Sequence, residues 1–433
     1  MDESGNEAMP QTLSILGMDV TPRRSFATIT WRPTTTHDDT EFQALYEPLD
    51  GVERLERYQP GGYHPIQIGD QFHGRYRVIH KLGHGSYSTM WVAQDEQKKK
   101  LVALKICTAR SNSNEVNIIS ALTHPRFPVT NDSGKAMISS ILDTFTVHGP
   151  NGTHACHITT PARASLSGLK DGSWIRLFQL DVARALAAQL VLAADYLHTQ
   201  GFKFGAPEPE PVIHLDEKPL PPGVPSHGIV PLWLGAASEK ITLPEARILL
   251  TDFGESFSCS DPKELKYESR TPLVIRPPEC RFEPHKPLSY VSDIWTLACT
   301  IWSIIAQRPL FEGFLATEDD MTREHVDTLG ILPLEWWRGW EARREKFTED
   351  GRPINRNPFR SWSDRFEDSV QQPRRQEGMP VLGDDERDAI FDMLRPMLAF
   401  RPEERCTTKQ ILESEWMVKW ALPAYEKIPR SDQ

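Results

Sequence analysis

Strand-like segments around a glycine-rich turn constrain the fold of this chain more than any other feature. YRVIH (76–80), STMWVAQD (88–95) and LVALKI (101–106) are rich in β-branched and aromatic residues, a composition typical of strands. Between the first two lies Gly83-His84-Gly85-Ser86-Tyr87-Ser88. Because glycine has no side chain, backbone N–H groups in such a turn can approach phosphate oxygens. An ordinary hairpin turn has the same pattern, so the turn alone assigns no function.

A lysine and a glutamate after the turn make phosphate binding a more specific prediction. Lys105 stands in the third strand-like segment, and Glu115 follows in NEVNIISAL (114–122). In phosphoryl-transfer enzymes a strand lysine contacts the nucleotide phosphates and is paired with a helix glutamate. The alternative is a solvated lysine and an unrelated surface glutamate. The spacing of turn, lysine and glutamate favours a nucleotide site.

Helical patterns dominate the later part of the chain. Between residues 176 and 201, apolar residues at spacings of three to four form one stripe: Phe178, Val182, Leu186, Leu190, Ala193 and Leu197. Gly201 is a plausible helix stop. The segment 292–307 is apolar nearly all round, as expected of a buried helix. A small β-rich lobe followed by a larger helical lobe, an α+β fold, is therefore predicted.

The sequence 61–95, together with Lys105 and the later Asp252-Phe253-Gly254, resembles the eukaryotic serine/threonine protein kinases, and more narrowly their SR-protein kinase-like branch of fungal type. Ser88-Thr89 stands where other kinases have a third glycine. The resemblance covers roughly 61–417 and implies a bilobal kinase fold. The expected division is a mostly disordered tail at 1–60, an N-lobe at 61–160, a C-lobe at 161–417 with a proline-rich insert at 203–244, and a C-terminal tail at 418–433.

The resemblance also implies roles for individual residues, with ATP and Mg²⁺ as cofactors. The ATP-binding set is Leu82, Gly83, His84, Gly85, Ser86, Tyr87, Ser88, Met90, Lys105, Glu115, Thr160 and Ala162, the last two through the Thr160 carbonyl and the Ala162 N–H. Asp252 is the expected metal ligand, and Phe253 is expected beneath the helix that carries Glu115. Glu279 and Arg405 are expected to form a buried ion pair. Asp293 is expected to brace the catalytic loop.

No convincing catalytic loop follows the helix that ends near Gly201. Phosphoryl transfer needs an aspartate near the substrate hydroxyl and an asparagine five residues later for the second metal. Here Phe202 runs directly into KFGAPEPEPV (203–212), as though a few tens of residues had been removed. His214-Leu215-Asp216-Glu217-Lys218-Pro219 is superficially similar to the loop, but Pro221 occupies the asparagine position. Asp216 is therefore either insert sequence or the aspartate of a degenerate working loop.

The resemblance implies an ATP-dependent kinase that phosphorylates Arg/Ser-rich, splicing-type proteins, and the missing loop predicts that this chain is impaired or inactive. Three explanations remain open: a splice variant or gene-model error of a working kinase, an evolved pseudokinase that serves as an ATP-binding scaffold, and an active kinase that uses Asp216. Glu318, Asp319 and Asp320 lie where the family binds substrate arginines. A solvated acidic loop is the alternative reading of that cluster.

Composition excludes several other classes. The start of the sequence has no signal-peptide pattern, and no apolar run approaches the ~20 residues of a membrane span. The six cysteines form no CxxC pair, so neither a zinc site nor a disulfide framework is indicated. A formal net charge of −11 argues against direct nucleic-acid binding. We expect a protein of the cytoplasm, the nucleus or both, with reduced thiols.

Overall fold

Six antiparallel strands build one sheet in the N-terminal part of the molecule, in the order β1-β2-β3-β4-β6-β5. They are β1 (Gln71–Phe72), β2 (Tyr76–Gly85), β3 (Ser88–Asp95), β4 (Lys100–Cys107), β5 (Ile141–Gly149) and β6 (Gly152–Thr159). Val78, Trp91, Leu104 and Ile158 form the buried centre of the sheet. Helix α1 (Glu115–Thr123) follows β4 and packs Ile118, Ile119 and Leu122 inward.

The computed structural model describes residues 46, 49, 51–111, 115–124, 133–203, 223–225, 228–229, 231–233, 235–254, 256–259, 265–313, 316–355 and 360–429. Of the predicted site residues, Asp216 lies outside this set.

Helices dominate the described chain after β6. They are α2 (Leu166–Asp171), α3 (Leu180–Thr199), α4 (Glu279–Phe282), α5 (Tyr290–Ile305), α6 (Glu318–Leu329), α7 (Leu334–Gly339), α8 (Arg343–Lys346), α9 (Trp362–Phe366), α10 (Gln372–Gln376), α11 (Asp384–Met397), α12 (Thr408–Leu412) and α13 (Leu422–Glu426). A second small sheet pairs β7 (Phe202–Lys203) with β8 (Phe257–Ser258). The predicted bilobal α+β architecture is confirmed.

Helix α5 lies at the centre of the helical lobe because its sequence is apolar on nearly every face. Trp295, Ala298, Ile301 and Trp302 on this helix are all buried in one cluster with residues of α3 and α11. Helix α3 contacts α5, α12 and α13. Gly201, at φ 83°, takes the left-handed conformation just after α3, which glycine adopts without strain. Among the described residues no helix has the length and apolar character needed to cross a bilayer.

The packed part of the chain is wider than the predicted boundaries at both ends. Val52, Glu53 and Tyr58 are buried, although the tail was expected to continue to residue 60. Helix α13 packs against α3 and buries Ala424, beyond the expected end of the lobe at residue 417. The sequence before Tyr63 has no strand or helix periodicity, which explains why its burial was not predicted.

Candidate functional site

Three charged side chains from distant parts of the chain meet in the cleft between the lobes. Lys105 Nζ on β4 donates to both carboxylate oxygens of Glu115 on α1, at 2.9 and 2.7 Å. It also donates to Asp252 Oδ1 at 2.7 Å. Burial acts to lower the pKa of Lys105, but the two carboxylates outweigh it and the pKa is raised. A fixed ammonium charge therefore stands inside the cleft at neutral pH.

The segment after Asp252 is fixed to helix α1. The Phe253 N–H donates to Glu115 Oε1 at 3.0 Å, and the Phe253 ring is fully buried against Ile118 and Leu122. Asp252 itself has a φ of 65°, in the left-handed region that non-glycine residues enter rarely and in which Asp is among the enriched types. The Asp252 side chain is 40% exposed, so its carboxylate is held by Lys105 and is still open to the cleft.

The glycine-rich turn forms the hairpin between β2 and β3. Gly85 pairs with Ser88, so Ser86 and Tyr87 are the two residues at its tip. A Cβ atom placed on Gly83 or Gly85 would meet no protein atom within 4 Å, so both positions leave room for a ligand.

Most of the predicted ATP-binding residues line this cleft, and two do not. Those that line it are Leu82, Gly83, His84, Gly85, Ser88, Met90, Lys105, Glu115, Thr160 and Ala162, together with the predicted metal ligand Asp252. Ser86 and Tyr87 do not line it. As tip residues they project from the end of the hairpin, where Tyr87 is 45% exposed and its carbonyl accepts from Thr108 N–H at 2.8 Å.

The adenine end of the predicted site follows β6. Thr160 and Ala162 continue from the last strand residue, Thr159, and face the cleft. The structure adds Ala103 and His157, which sequence reasoning missed. The sequence could have predicted Ala103, because side chains two residues apart on a strand point to the same face and Ala103 precedes Lys105 by two residues. Burial, together with the nearby Lys105 charge, lowers the pKa of His157 to about 3, so this ring is a neutral wall of the cleft.

The cleft continues from the nucleotide end into the helical lobe between α3 and α5. Its volume is 1680 Å³, above the ~300–1,000 Å³ that is usual for small-molecule sites. Leu190 and Ala194 on α3 and Thr296 and Thr300 on α5 line this extension and are only partly buried. The described residues thus leave faces of these two central helices incompletely covered.

A larger side chain in this extension should increase the free energy of unfolding, whereas the same change at a packed position should decrease it. We expect Ala194→Leu to stabilise the protein by about 0.5–2 kcal/mol, because the added carbon atoms enter space that the described residues leave unfilled and bury apolar surface. Ala193→Leu is the matched control: Ala193 is fully buried, and overpacking there should cost about 1–3 kcal/mol. Urea unfolding of both variants measures the difference. Equal destabilisation by both would show that the extension is already filled.

Strand β7 marks the position where the chain leaves α3. Phe202 pairs with Ser258 and Lys203 pairs with Phe257, a few residues after Asp252. The predicted aspartate of a degenerate loop, Asp216, lies beyond β7, outside the described residues. Asp293 on α5 accepts a hydrogen bond from His198 Nε2 at 3.2 Å. His198, near the end of α3, is thus one partner of Asp293, and the bracing of a catalytic loop by Asp293 stays a prediction.

Glu279 and Arg405 form a buried bidentate ion pair. Arg405 Nη1 and Nη2 donate to the two Glu279 oxygens at 2.9 and 2.6 Å. The remaining Arg405 donors reach the carbonyl oxygens of Val291, Ala399 and Phe400. The guanidinium thus joins α4, α5 and the segment after α11.

The acidic cluster at the start of α6 has mostly internal partners. Asp319 accepts from Arg281 at 2.5 Å and from Trp340 Nε1 at 2.7 Å. Asp320 caps the helix together with Thr317. Glu318 is 54% exposed and its contacts with arginines are long, at 3.9 Å. Of the three carboxylates, Glu318 is the one best placed to receive a cation from another molecule.

Comparison with known proteins gives relatives across most of the chain. Residues 234–417 match the model of the protein kinase domain. A serine/threonine protein kinase of Aspergillus fumigatus is 27% identical over 389 residues, covering 84% of this chain and 90% of that protein. The serine/threonine-protein kinase SRPK of Physarum polycephalum is 23% identical over 412 residues, covering 84% and 91%. SRSF protein kinase 3 of Homo sapiens is 34% identical over 164 residues, covering 37% and 27%.

Proposed function

Since this chain belongs to the protein kinase family and is related to the SR-protein kinases, we propose that it binds ATP with Mg²⁺ in the interlobe cleft and transfers phosphate poorly. The observation that carries the first half is the contact of Lys105 with both Glu115 and Asp252. Three charges from β4, α1 and the Asp-Phe-Gly segment converge although they are far apart in sequence.

The geometry suits a nucleotide because the residues proposed for adenine and those proposed for the phosphates lie in the same order as these groups in ATP. Thr160 and Ala162 offer backbone groups at the adenine end, and Lys105 offers a cation for the phosphates. The open faces of Gly83 and Gly85 allow the turn to approach the phosphate oxygens. The adenine, ribose and phosphates would thus lie along one side of the cleft, between the two lobes.

A magnesium ion fits this site only together with the nucleotide. Among the described residues no group of three acidic, histidine or cysteine side chains could hold a metal. Mg²⁺ is, however, commonly bound through one or two carboxylates plus substrate phosphates. Asp252 would supply the carboxylate, and the ion would neutralise charge on the phosphates.

The carboxylates on the described lining of the cleft support the proposal of poor transfer. Those on its described lining are Glu115, Glu245, Asp252 and Asp293. Glu115 and Asp252 are held by Lys105, Glu245 by Arg163 and Asp293 by His198. None of them is placed as a free base beside a second-metal asparagine, and Asp216 is the one aspartate in the sequence between Lys203 and Asp252. A general base contributes about 10²–10⁴-fold to a proton-transfer step, so its loss is large.

The proposed protein partner is an Arg/Ser-rich chain. The names of two relatives, SRPK and SRSF protein kinase 3, support this class of substrate. In this chain the exposed Glu318 at the start of α6 is the carboxylate available to a substrate arginine. If transfer is impaired, the same surface would let the protein act as a scaffold that binds such chains without modifying them.

Nucleotide binding is tested by thermal melting with and without ATP and Mg²⁺. At an ATP concentration of about 100 times the dissociation constant, a ligand that binds only the folded state adds ~2.7 kcal/mol, and we expect a corresponding rise in Tm. Lys105→Met should reduce the rise, because it removes the cation and keeps the aliphatic stem. Lys100→Ala, on the exposed start of the same strand, is the control and should leave the rise unchanged. An unchanged Tm at millimolar ATP in a cooperatively folded wild-type sample would refute binding.

A further inference from the structure

The segment before the first strand is attached to the sheet next to the glycine-rich turn. We call residues 51–66 the N-terminal strap. Gly61 N–H donates to the Asn151 carbonyl at 2.7 Å, and the Gly61 and Gly62 carbonyls accept from Arg110 and Ala109 at 2.8 and 3.0 Å. Asn151 Nδ2 in turn donates to the Tyr63 carbonyl at 2.7 Å. The strap is thus fixed to the end of β4 and to the turn between β5 and β6.

A buried charge pair fixes the strap at the base of the turn. Glu53 pairs with Lys81, two residues before Gly83, and both side chains are almost fully buried. The Tyr58 hydroxyl also donates to Glu53, and the Lys81 ammonium lies 5.5 Å from the centre of the Trp91 ring. Because a buried charge is costly without its partner, this pair makes detachment of the strap from β2 unfavourable.

Two strap side chains reach the tip of the turn. The Tyr63 hydroxyl donates to the Gly85 carbonyl at 2.7 Å. Arg57 Nη1 approaches the Ser86 carbonyl at 3.5 Å. Tyr63 is 2% exposed, and burial raises its pKa although the Arg57 guanidinium opposes the shift, so the hydroxyl keeps the proton that it donates.

A hydrogen bond to a carbonyl also sets the direction of the next N–H group. The peptide unit is planar and trans, so the Gly85 C=O and the Ser86 N–H point in opposite directions from one rigid plane. The same holds for the Ser86 C=O and the Tyr87 N–H. By holding these two carbonyls, Tyr63 and Arg57 restrict rotation of the two peptide units at the tip of the turn, and with it the direction of their N–H groups.

We propose that the N-terminal strap orients the glycine-rich turn for nucleotide phosphates, and that Tyr63 is a positioning residue for this purpose. This inference rests on the proposed ATP binding. Tyr63 acts through the Gly85–Ser86 peptide and does not line the cleft itself. Its contribution should therefore be specific to ligands that carry phosphates, because adenosine would reach Thr160 and Ala162 without using the turn.

The test compares ATP and adenosine affinities of the wild-type chain and Tyr63→Phe, which removes the hydroxyl alone. Loss of one hydrogen bond should weaken ATP binding about 2- to 10-fold, with adenosine affinity unchanged. Tyr76→Phe is the matched control: this buried tyrosine of the same sheet donates to Asp143 at 2.7 Å, and its loss should change neither affinity. Hydrogen exchange of the backbone amides of residues 84–88 in the nucleotide-free protein is measured in parallel, and Tyr63→Phe should accelerate it.

The outcomes separate this proposal from the proposed function. Equal ATP affinity of wild type and Tyr63→Phe, or an equal loss for ATP and adenosine, would refute the positioning role while leaving ATP binding intact. Wild type that binds neither ligand would refute ATP binding and, with it, the phosphate role of Tyr63. The exchange measurement would then still decide whether the strap holds the turn: unchanged exchange in Tyr63→Phe would show that it does not.

Discussion

Insertion of a kinase catalytic loop and its following strand after Lys203 is expected to raise phosphoryl transfer to an Arg/Ser-repeat peptide by about 10²-fold or more. The site already contains Lys105, Glu115 and Asp252 in contact, so the inserted aspartate and asparagine would supply the missing base and metal ligand. Lys203 is the right junction because β7 ends there and stays paired with β8. Steady-state transfer of the labelled γ-phosphate measures the effect.

Three controls decide how the result is read. The same insert with its aspartate changed to alanine should remain at the level of the unmodified chain. Lys105→Met in the repaired chain should abolish the gain, since it removes the phosphate-facing cation. Activity in the unmodified chain that Asp216→Ala abolishes would overturn the proposal of poor transfer and identify Asp216 as the catalytic aspartate of a degenerate loop.

The core elements could be predicted because their patterns are local. The apolar stripe that predicted a helix over 176–201 matches α3, and the nearly continuous apolar segment predicted over 292–307 matches α5. Both helices begin or end within a few residues of the prediction. The sequence shows the helix period because a helix that buries one face needs apolar residues at spacings of three to four, and a fully buried helix needs them all round.

The part of the strap before residue 61 could not be predicted because its stability comes from contacts with distant residues. Its 3–10 turn at Leu55–Arg57 has no buried residues of its own. Glu53 reads as a surface charge until Lys81, 28 residues later, is placed against it. The orientation of the tip residues Ser86 and Tyr87 was missed for a related reason: sequence marks the glycines of the turn, whereas the hairpin register decides which residues face the cleft.

Glu279→Ala is expected to destabilise the protein by about 3–5 kcal/mol, a large part of the ~5–15 kcal/mol that is typical of a folded domain. The reason is that Arg405, whose side chain has no exposed surface, would keep its charge without a counter-ion. Urea unfolding measures the change. Glu96→Ala is the matched control: it removes the carboxylate of the largely exposed Arg77–Glu96 pair and should cost less than about 1 kcal/mol. An equal decrease in the free energy of unfolding for both variants would show that the Glu279–Arg405 pair stabilises the helical lobe no more than a surface contact does. The three carbonyl oxygens around Arg405 would then be sufficient to hold its charge.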